Sequence, residues 1–277
     1  MNNDLSACGL DVGSTTAKIA AVDRSGTLRW SHLEPAEPRV EEQAARLIAM
    51  AVQAGVDLDA APLVATGCGR NLVHVAARTV TEITCHARGI QREFPGAGVL
   101  VDIGGQDSKV IHINAQGAVV DFAMNDKCAA GTGRFLENTA ARLGVALDDL
   151  GRLALSGREE VAITSTCTVF AESEVISLLA QGVRLEPVLR GLHRSLVRRL
   201  AAMIRGVGAT SPLLLSGGVA RNSAVARLLS EETGKQIRVS ARPQLVGAYG
   251  AALVGLEMMR EKDRMAAGSA PSPFDGP

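Results

Sequence analysis

Apolar residues recur along the chain in short runs, separated by polar turns that contain glycine and by longer amphipathic stretches. Apolar runs of about 4–8 residues are typical of strands, whereas apolar positions three and four residues apart indicate helices. The strands predicted in this way lie at residues 7–12, 17–23, 27–33, 62–66 and 212–215. The predicted helical segments lie at residues 39–54, 71–92, 129–143, 169–180, 187–207 and 247–262. This alternation indicates an α/β protein.

One pattern of polar residues occurs twice. Residues 11–19 read Asp-Val-Gly-Ser-Thr-Thr-Ala-Lys-Ile, and residues 102–110 read Asp-Ile-Gly-Gly-Gln-Asp-Ser-Lys-Val. Each copy follows one apolar run and leads into another, so each predicts a β-hairpin with a small turn and an aspartate at its mouth. Two such hairpins can grip a polyphosphate through backbone N–H groups and hydroxyls, while the carboxylates hold Mg²⁺ through water.

The repeat also indicates the domain organisation. The best internal break is residues 94–98, Phe-Pro-Gly-Ala-Gly, because Pro and Gly interrupt helices and strands. We expect a first lobe at residues 1–96, completed by the C-terminal helix at 250–263, and a second lobe at 97–249. The tail at 264–277 is rich in Ala, Gly, Ser and Pro and is expected to be disordered. Two lobes around a cleft would explain the repeat, although a doubly wound sheet also fits the alternation.

Composition and charge exclude several classes of protein. Lys plus Arg and Asp plus Glu are balanced at 29 each, which argues against binding to nucleic acid or to a membrane surface through net charge. Aromatic residues make up 3% of the chain, so a base-stacking platform is not expected. No apolar run reaches the roughly 20 residues of a membrane helix, and the first residues lack a secretion signal. We therefore expect a soluble cytoplasmic protein.

A stripe of basic residues accompanies the predicted helix at 187–207. Its members are Arg184, Arg190, Arg194, Arg198 and Arg199. We expect a solvated helix face, with a docking surface for an acidic partner as the alternative.

Three glycine-containing turns form the candidate nucleotide site: Asp11–Thr16, Asp102–Asp107 and Ser216–Asn222. The residues expected to contact the nucleotide are Gly13, Ser14, Thr15, Thr16, Lys18, Gly104, Gly105, Asp107, Gly217, Gly218 and Asn222. Asp11 and Asp102 are expected to act in catalysis and to hold Mg²⁺ through water, and Gln106 is a candidate for orienting the attacking water. The paired glycines of the third turn would let a flat ring approach the backbone, and Asn222 can cap the helix that follows.

The cysteines suggest a second site. The chain has five, an odd number that does not indicate a disulfide framework. Cys128 and Cys167 each lie just before a predicted helix, whose positive end favours a thiolate and an anionic cluster. A zinc or iron–sulfur site normally needs four ligands, and this pair supplies half of them. Two possibilities stay open: two buried thiols, or a site that a two-fold homodimer completes with two cysteines from each chain.

Two longer segments around these cysteines are more specific. Residues 125–136 read Asn-Asp-Lys-Cys-Ala-Ala-Gly-Thr-Gly-Arg-Phe-Leu, and residues 165–176 read Ser-Thr-Cys-Thr-Val-Phe-Ala-Glu-Ser-Glu-Val-Ile. They resemble the activators of 2-hydroxyacyl-CoA dehydratases and the related ATP-binding subunits of benzoyl-CoA reductase, the BadF/BadG/BcrA/BcrD type of ATPase. Residues 66–71, 82–87 and 216–222 also fit, so the resemblance extends from residue 8 to residue 256. One departure is Cys68, where an aromatic residue, usually Tyr, is expected.

The resemblance implies two actin-like, ribonuclease H-like lobes around a nucleotide cleft, as in the acetate-kinase, sugar-kinase, Hsp70 and actin superfamily. It implies a homodimer with one [4Fe–4S] cluster held by Cys128 and Cys167 of both chains, and ATP or ADP with Mg²⁺ in each chain. ATP binding and hydrolysis would change the dimer geometry, and the docked activator would pass a low-potential electron to an acyl-CoA dehydratase or reductase component. Ferredoxin or flavodoxin is the implied electron donor.

Three other functions fit parts of the sequence. The chain could be the small ATPase subunit of a benzoyl-CoA reductase-type complex, which the sequence separates poorly from an activator. It could be a sugar or carboxylate kinase of the same fold, with Asp102 or Asp107 as the base toward an acceptor hydroxyl. A kinase, however, gives no reason for two cysteines before helices. A nucleotide-gated interaction module without catalysis is the third possibility.

Overall fold

The structure is a computed structural model that describes residues 5–96, 98–165, 167–208 and 212–268. Its strands are β1 (Leu5–Val12), β2 (Thr16–Asp23), β3 (Leu28–Pro35), β4 (Leu63–Thr66), β5 (Arg78–Thr79), β6 (Gly98–Ile103), β7 (Ser108–Ile113), β8 (Val119–Asn125), β9 (Leu213–Ser216) and β10 (Ile237–Val239). Its α-helices are α1 (Val40–Gln53), α2 (Glu82–Glu93), α3 (Gly133–Leu143), α4 (Leu150–Leu155), α5 (Thr168–Ala180), α6 (Leu185–Gly206), α7 (Ser223–Thr233) and α8 (Val246–Gly268). The chain divides into two compact units. Unit 1 comprises residues 1–89 and 247–277, and unit 2 comprises residues 90–246.

Unit 1 is built around β1, the central strand of a five-stranded sheet in the order β3-β2-β1-β4-β5. β1 pairs antiparallel with β2 and parallel with β4, and all its residues are buried because both faces of the strand are covered. Helix α1 packs Leu47 and Ala51 into the core below the sheet. Gly9 lets helix α8 approach β1, because a Cβ at this position would overlap the backbone of Ala248 and Ala252.

Unit 2 repeats this arrangement, with the sheet order β10-β9-β6-β7-β8. The fully buried central strand β6 pairs antiparallel with β7 and parallel with β9. The long helix α6 supplies much of the core, since Leu189, Leu192 and Leu196 are completely buried along one face. The two units therefore share one strand order and one pattern of strand directions, as the repeated sequence predicts.

Strand β8 is an edge strand of the second sheet, paired only with β7 in the strand order. Ala123 packs against the core, whereas the intervening side chains of Val120, Phe122 and Met124 are exposed. Their alternation follows from the period of two in a strand. The outward face of this edge is therefore an apolar ridge.

Most predicted elements match the structure, and four expectations about them need correction. The helical segments expected at residues 71–92 are interrupted, because Arg78 and Thr79 pair with β4 as strand β5 and α2 begins only at Glu82. The single doubly wound sheet is wrong, because the described strands form two separate sheets. The helix expected from residue 129 begins at Gly133, since Gly131 has a positive φ of 93° that ends a turn rather than continuing a helix. Of the tail expected to be disordered, residues 264–268 continue α8, because the helix formers Arg264, Met265 and the alanines precede the first Gly. Residues 269–277 lie outside the described part of the chain.

The arginine stripe is a solvated face only in part, because the side chains of Arg184 and Arg198 are exposed whereas those of Arg190 and Arg194 are not. The side chains of Arg190 and Arg194 are 14% and 13% exposed, and both form ion pairs with Glu160 and Glu231. These pairs tie α6 to α7 and to the segment that follows α4. Among the described helices, none is both long enough and apolar enough to cross a membrane.

One buried histidine on α6 is held in a neutral form by its hydrogen bonds. His193 on α6 is completely buried. Its Nδ1–H donates to the carbonyl of Leu189 at 2.7 Å, and its Nε2 accepts from the amide of Asn222 at 3.0 Å. This tautomer needs a neutral ring, and burial lowers the pKa of His193 from 6.5 to about 4.

We predict that this histidine costs the protein stability in mild acid. Above pH 6.5 the neutral ring contributes fully. As the pH falls towards 4, the unfolded chain binds the proton first and the contribution is lost, in total about 3 kcal/mol. Urea unfolding should therefore show wild type losing about 2 kcal/mol more than His193→Gln between about pH 8 and pH 5. If the free energy of unfolding depended on pH equally in the two proteins, the lowered pKa of His193 would be contradicted.

Candidate functional site

The first glycine-containing turn joins β1 to β2 in unit 1. Asp11 is buried near the end of β1, and Lys18 at the paired position of β2 places its Nζ 3.3 Å from Asp11 Oδ2. The N–H of Gly13 donates to the carbonyl of Thr16 at 3.2 Å and closes the turn. The hydroxyl residues of the turn are exposed or half-buried: Ser14, Thr15 and Thr16. The turn therefore offers hydroxyls beside one ammonium–carboxylate pair.

The second turn joins β6 to β7 in unit 2 and carries a denser charge network. Lys109 Nζ lies 2.7 Å from Asp107 Oδ2 and 3.7 Å from Asp102 Oδ2. The side chains of Lys109 and Asp102 are 3% and 5% exposed. Ser216 on β9 donates to Asp102 Oδ1 at 2.6 Å. One ammonium here faces two carboxylates, so this turn has an excess of negative charge that the first turn lacks.

The tip of the second turn lies at the surface. The N–H of Gly104 donates to the carbonyl of Asp107 at 2.9 Å. Gln106 is exposed, whereas Gly104, Gly105 and Asp107 are half-buried. The position of Gln106 is compatible with contact to a bound molecule, and its role in orienting water stays a prediction.

The third turn lies beside the second in unit 2, because Ser216 is the register partner of Asp102. Gly217 has φ 86° and ψ 172°, a region that only glycine adopts readily. A Cβ at Gly217 would also strike the backbone of Ile103. Gly218 differs, because it is exposed and a Cβ there would meet only Gln244 Nε2 at 3.7 Å. Gly217 is therefore required by the fold, whereas Gly218 leaves open space.

Asn222 caps α7 as expected, since its Oδ1 accepts from the N–H of Ala224 at 3.0 Å. Its amide nitrogen donates to His193 Nε2. Both ends of the side chain thus have protein partners, and a contact between Asn222 and a nucleotide stays a prediction.

The cysteines fall into two groups. Cys8 and Cys85 are completely buried, and burial raises the pKa of both thiols to about 12, so both remain neutral. Cys68 is exposed in unit 1, where its Sγ donates to the carbonyl of Val12 at 3.4 Å. Cys128 is half-buried and Cys167 is exposed. The possibility that Cys128 and Cys167 are two buried thiols is therefore wrong.

Cys167 is the N-cap residue of α5. Glu174 lies about two turns further along α5. Its carboxylate holds the segment that precedes the helix: Oε1 accepts from the N–H and hydroxyl of Thr164, and Oε2 accepts from the N–H of Ser165. Partial burial alone would raise the pKa of Glu174, but these hydrogen bonds outweigh it and lower the pKa to about 2. The carboxylate of Glu174 therefore stays charged throughout the physiological pH range and holds Thr164 and Ser165, which precede Cys167 in the chain.

Cys128 lies further from its helix than expected. Thr132 is the N-cap residue of α3, so a short loop separates Cys128 from the helix that was expected to follow it directly. The first N–H groups of α3 donate to the second turn: Gly133 N to Gly104 O at 2.9 Å, and Arg134 N to Gly105 O at 2.8 Å. Carbonyls of the turn thus satisfy helix N–H groups that lack partners within the helix. The second turn is therefore in direct contact with the start of α3, the helix that follows the loop with Cys128.

The donor set in one chain is incomplete for a four-ligand metal site. Helices α3 and α5, which follow Cys128 and Cys167, pack against each other and share an ion pair between Arg142 and Glu172. A group of three or more His, Cys, Asp or Glu side chains could hold a metal ion. In residues 5–96, 98–165, 167–208 and 212–268 there is no such group. Thiolates are the ligands that iron–sulfur clusters use. Two accessible thiols from each of two chains would fit a [4Fe–4S] cluster, whereas one chain alone would not.

The chain resembles proteins of known activity along nearly its whole length. Residues 8–255 match the profile of the BadF/BadG/BcrA/BcrD ATPase family. The chain is 37% identical over 262 residues to the 2-hydroxyisocaproyl-CoA dehydratase activator of Clostridioides difficile, which covers 92% of this chain and 97% of that protein. It is 40% identical over 247 residues to the (R)-2-hydroxyglutaryl-CoA dehydratase activating ATPase of Acidaminococcus fermentans, with coverage of 88% and 95%.

A solved structure confirms the expected fold. The activator of the 2-hydroxyisocaproyl-CoA dehydratase from Clostridium difficile with bound ADPNP matches with a TM-score of 0.87 and 36% identity. The match covers 94% of this chain and 97% of that one. The family predicted from the cysteine segments and the actin-like fold class are thereby confirmed.

We predict that substitution at the two paired glycines of the third turn affects stability very unequally. Gly217→Ala should destabilise the protein by about 3 kcal/mol, because alanine disfavours this backbone conformation and its Cβ meets Ile103. Gly218→Ala should change the free energy of unfolding by less than about 1 kcal/mol. Urea unfolding of both variants measures the difference. Similar losses in the two proteins would argue against the described conformation of the turn.

Proposed function

The chain belongs to the BadF/BadG/BcrA/BcrD ATPase family, and we propose that it is an ATP-dependent activator of an acyl-CoA dehydratase. In this proposal it hydrolyses ATP and passes one low-potential electron to a 2-hydroxyacyl-CoA dehydratase component. The relatives named as dehydratase activators support this choice, because each matches this chain over most of both lengths. The observation that carries it is that unit 2 contains both a glycine-rich turn and two accessible cysteines before packed helices.

The proposed cluster site uses Cys128 and Cys167 of two chains. A homodimer would bring together four thiolates, the number a [4Fe–4S] cluster requires. Beside Cys167, the side chains of Val169 and Phe170 are each 68% exposed. Apolar side chains of this size next to an incomplete ligand set favour burial against a second copy of the chain. Bound there, the cluster would supply a one-electron store that ferredoxin or flavodoxin refills.

The proposed nucleotide-binding residues are those of the three glycine-containing turns. Main-chain N–H groups and the hydroxyls of Ser14, Thr15 and Thr16 would bind phosphate oxygens, with Lys18 adding positive charge. Asp11 and Asp102 would hold Mg²⁺ through water, which would neutralise charge on the phosphates. Gln106 would orient the attacking water. The open space at Gly218 would admit the adenosine.

ATP hydrolysis and electron transfer would be coupled through conformation. Nucleotide would favour one of two dimer geometries, and only that geometry would dock with the dehydratase component. ATP and water would yield ADP and phosphate, and the electron would come from ferredoxin or flavodoxin. Because the second turn contacts the start of α3, a change at the phosphates has a short route to the segment that carries Cys128.

We predict that Cys128→Ser or Cys167→Ser abolishes the cluster. Each change removes two of the four ligands of the dimer, because both chains carry it. Anaerobically purified wild type should contain about four irons per dimer, and each variant nearly none. Cys68→Ser, at an exposed thiol in unit 1, should retain the iron of wild type and serves as the matched control. A Cys128→Ser protein with full iron content would refute the ligand assignment.

We predict that Asp11→Asn and Asp102→Asn slow ATP hydrolysis by about 100-fold while the iron content remains unchanged. The amide keeps the shape of the side chain but loses the charge that would position the metal. Exposed aspartates provide matched controls, Asp57→Asn for unit 1 and Asp148→Asn for unit 2. Steady-state phosphate release measures turnover, and normal rates in both site variants would remove these carboxylates from the mechanism.

A further inference from the structure

Asn125 ends strand β8 and holds the loop that carries Cys128. Its half-buried amide nitrogen donates to the carbonyl of Cys128 at 2.9 Å and to the carbonyl of Ala130 at 3.0 Å. A primary amide has two N–H donors, and both are used here. In the sheet register Asn125 pairs with Ser108 of β7. The backbone of Cys128 is therefore tied to the edge of the sheet by a single side chain.

The other end of the same loop is tied to the second turn. Thr132 closes a turn onto the carbonyl of Ala129 through both its N–H and its hydroxyl. The next two residues donate their N–H groups to Gly104 and Gly105. A Cβ at Gly133 would lie 3.1 Å from Gly104 O and 3.2 Å from Gly105 Cα. Because this contact is so close, the second turn cannot shift without moving the start of α3.

We propose that Asn125 is a positioning residue that makes the sulfur of Cys128 respond to the nucleotide at the second turn. The inference rests on the proposed function and adds the residue through which its two sites communicate. With both ends of the loop held, a shift of the second turn repositions Cys128. Without the amide, the loop between β8 and α3 takes up the shift by itself, aided by Gly131 with its positive φ.

The chemistry of the side chain supplies a sharp set of variants. Asn125→Ala removes both hydrogen bonds. Asn125→Asp keeps the shape but presents lone pairs to two carbonyl oxygens, so it cannot replace the donors. Asn114→Ala is the matched control, because Asn114 also holds a turn in unit 2, with Oδ1 accepting from the N–H groups of Gln116 and Ala118.

The test uses the full-length, metal-free protein under anaerobic conditions and measures iodoacetamide modification of Cys128 and Cys167 by peptide mass spectrometry. Rates are compared without nucleotide, with ADP and with ADPNP, each at a saturating concentration set by calorimetric binding to the same variant. In wild type and Asn114→Ala, ADPNP should change the rate at Cys128 by about fivefold or more.

In Asn125→Ala and Asn125→Asp, the rate at Cys128 without nucleotide should rise by about tenfold, because the loop opens locally. The response to ADPNP should fall below about twofold, while the rate at Cys167 stays within about twofold of wild type. A role confined to general stability would raise both rates together. A second measurement uses the cluster-loaded protein and follows the rate at which a chelator removes iron. This rate should no longer depend on nucleotide in Asn125→Ala and Asn125→Asp.

An Asn125→Ala protein that keeps the wild-type response at Cys128, or one in which both cysteines become equally reactive, would overturn the inference. Wild type that binds ADPNP and contains the cluster but shows no response at Cys128 would also overturn it, while leaving the proposed function intact. Failure of wild type to bind nucleotide would instead remove the proposed function. In that case, the rate of Cys128 modification without nucleotide still tests whether Asn125 holds the loop. An unchanged rate in Asn125→Ala would overturn that role as well, and a raised rate would support it.

Discussion

Each unit buries a carboxylate near the end of its central strand, and the surrounding structure depends on pairing that charge. An unpaired buried carboxylate is strongly destabilising, so a lysine from the adjacent antiparallel strand lies opposite: Lys18 for Asp11 and Lys109 for Asp102. The pairing holds only while the hairpin keeps its register, which the small turn between the strands fixes. The repeat therefore preserves an electrostatic requirement in both units, and Asp107 makes the second unit locally more negative.

The sequence predicted the two hairpins and most helices because their signals are local: apolar periodicity and glycine turns. Some elements depend on tertiary context and were missed. Strand β8 exposes one apolar face, so its pattern does not distinguish a buried side from a solvent side. Arg190 and Arg194 looked like a solvated stripe, but their partner Glu160 lies in a different part of the chain. No helical periodicity reveals such a partner.

In the candidate site, too, local sequence patterns reveal some residues, whereas the roles of others depend on tertiary contacts. Cys128 and Cys167 stand out because each lies in a long, specific segment, and the glycine turns follow strands. Asn125 and Glu174 lie within those segments, but their roles consist of side chain to backbone hydrogen bonds, which leave no pattern in the sequence. The difference between Gly217 and Gly218 is also structural, since only the backbone conformation separates the two.

The apolar ridge on edge strand β8 has a consequence for the solubility of the protein. An exposed edge with unpaired main-chain groups can add a strand from another molecule, and natural sheets commonly oppose this with a charge. Between Val120 and Phe122, that charge is Asp121, which is itself exposed. An apolar residue at this position would turn residues 119–124 into an uninterrupted aggregation-prone segment. We therefore expect Asp121 to protect this edge strand against self-assembly.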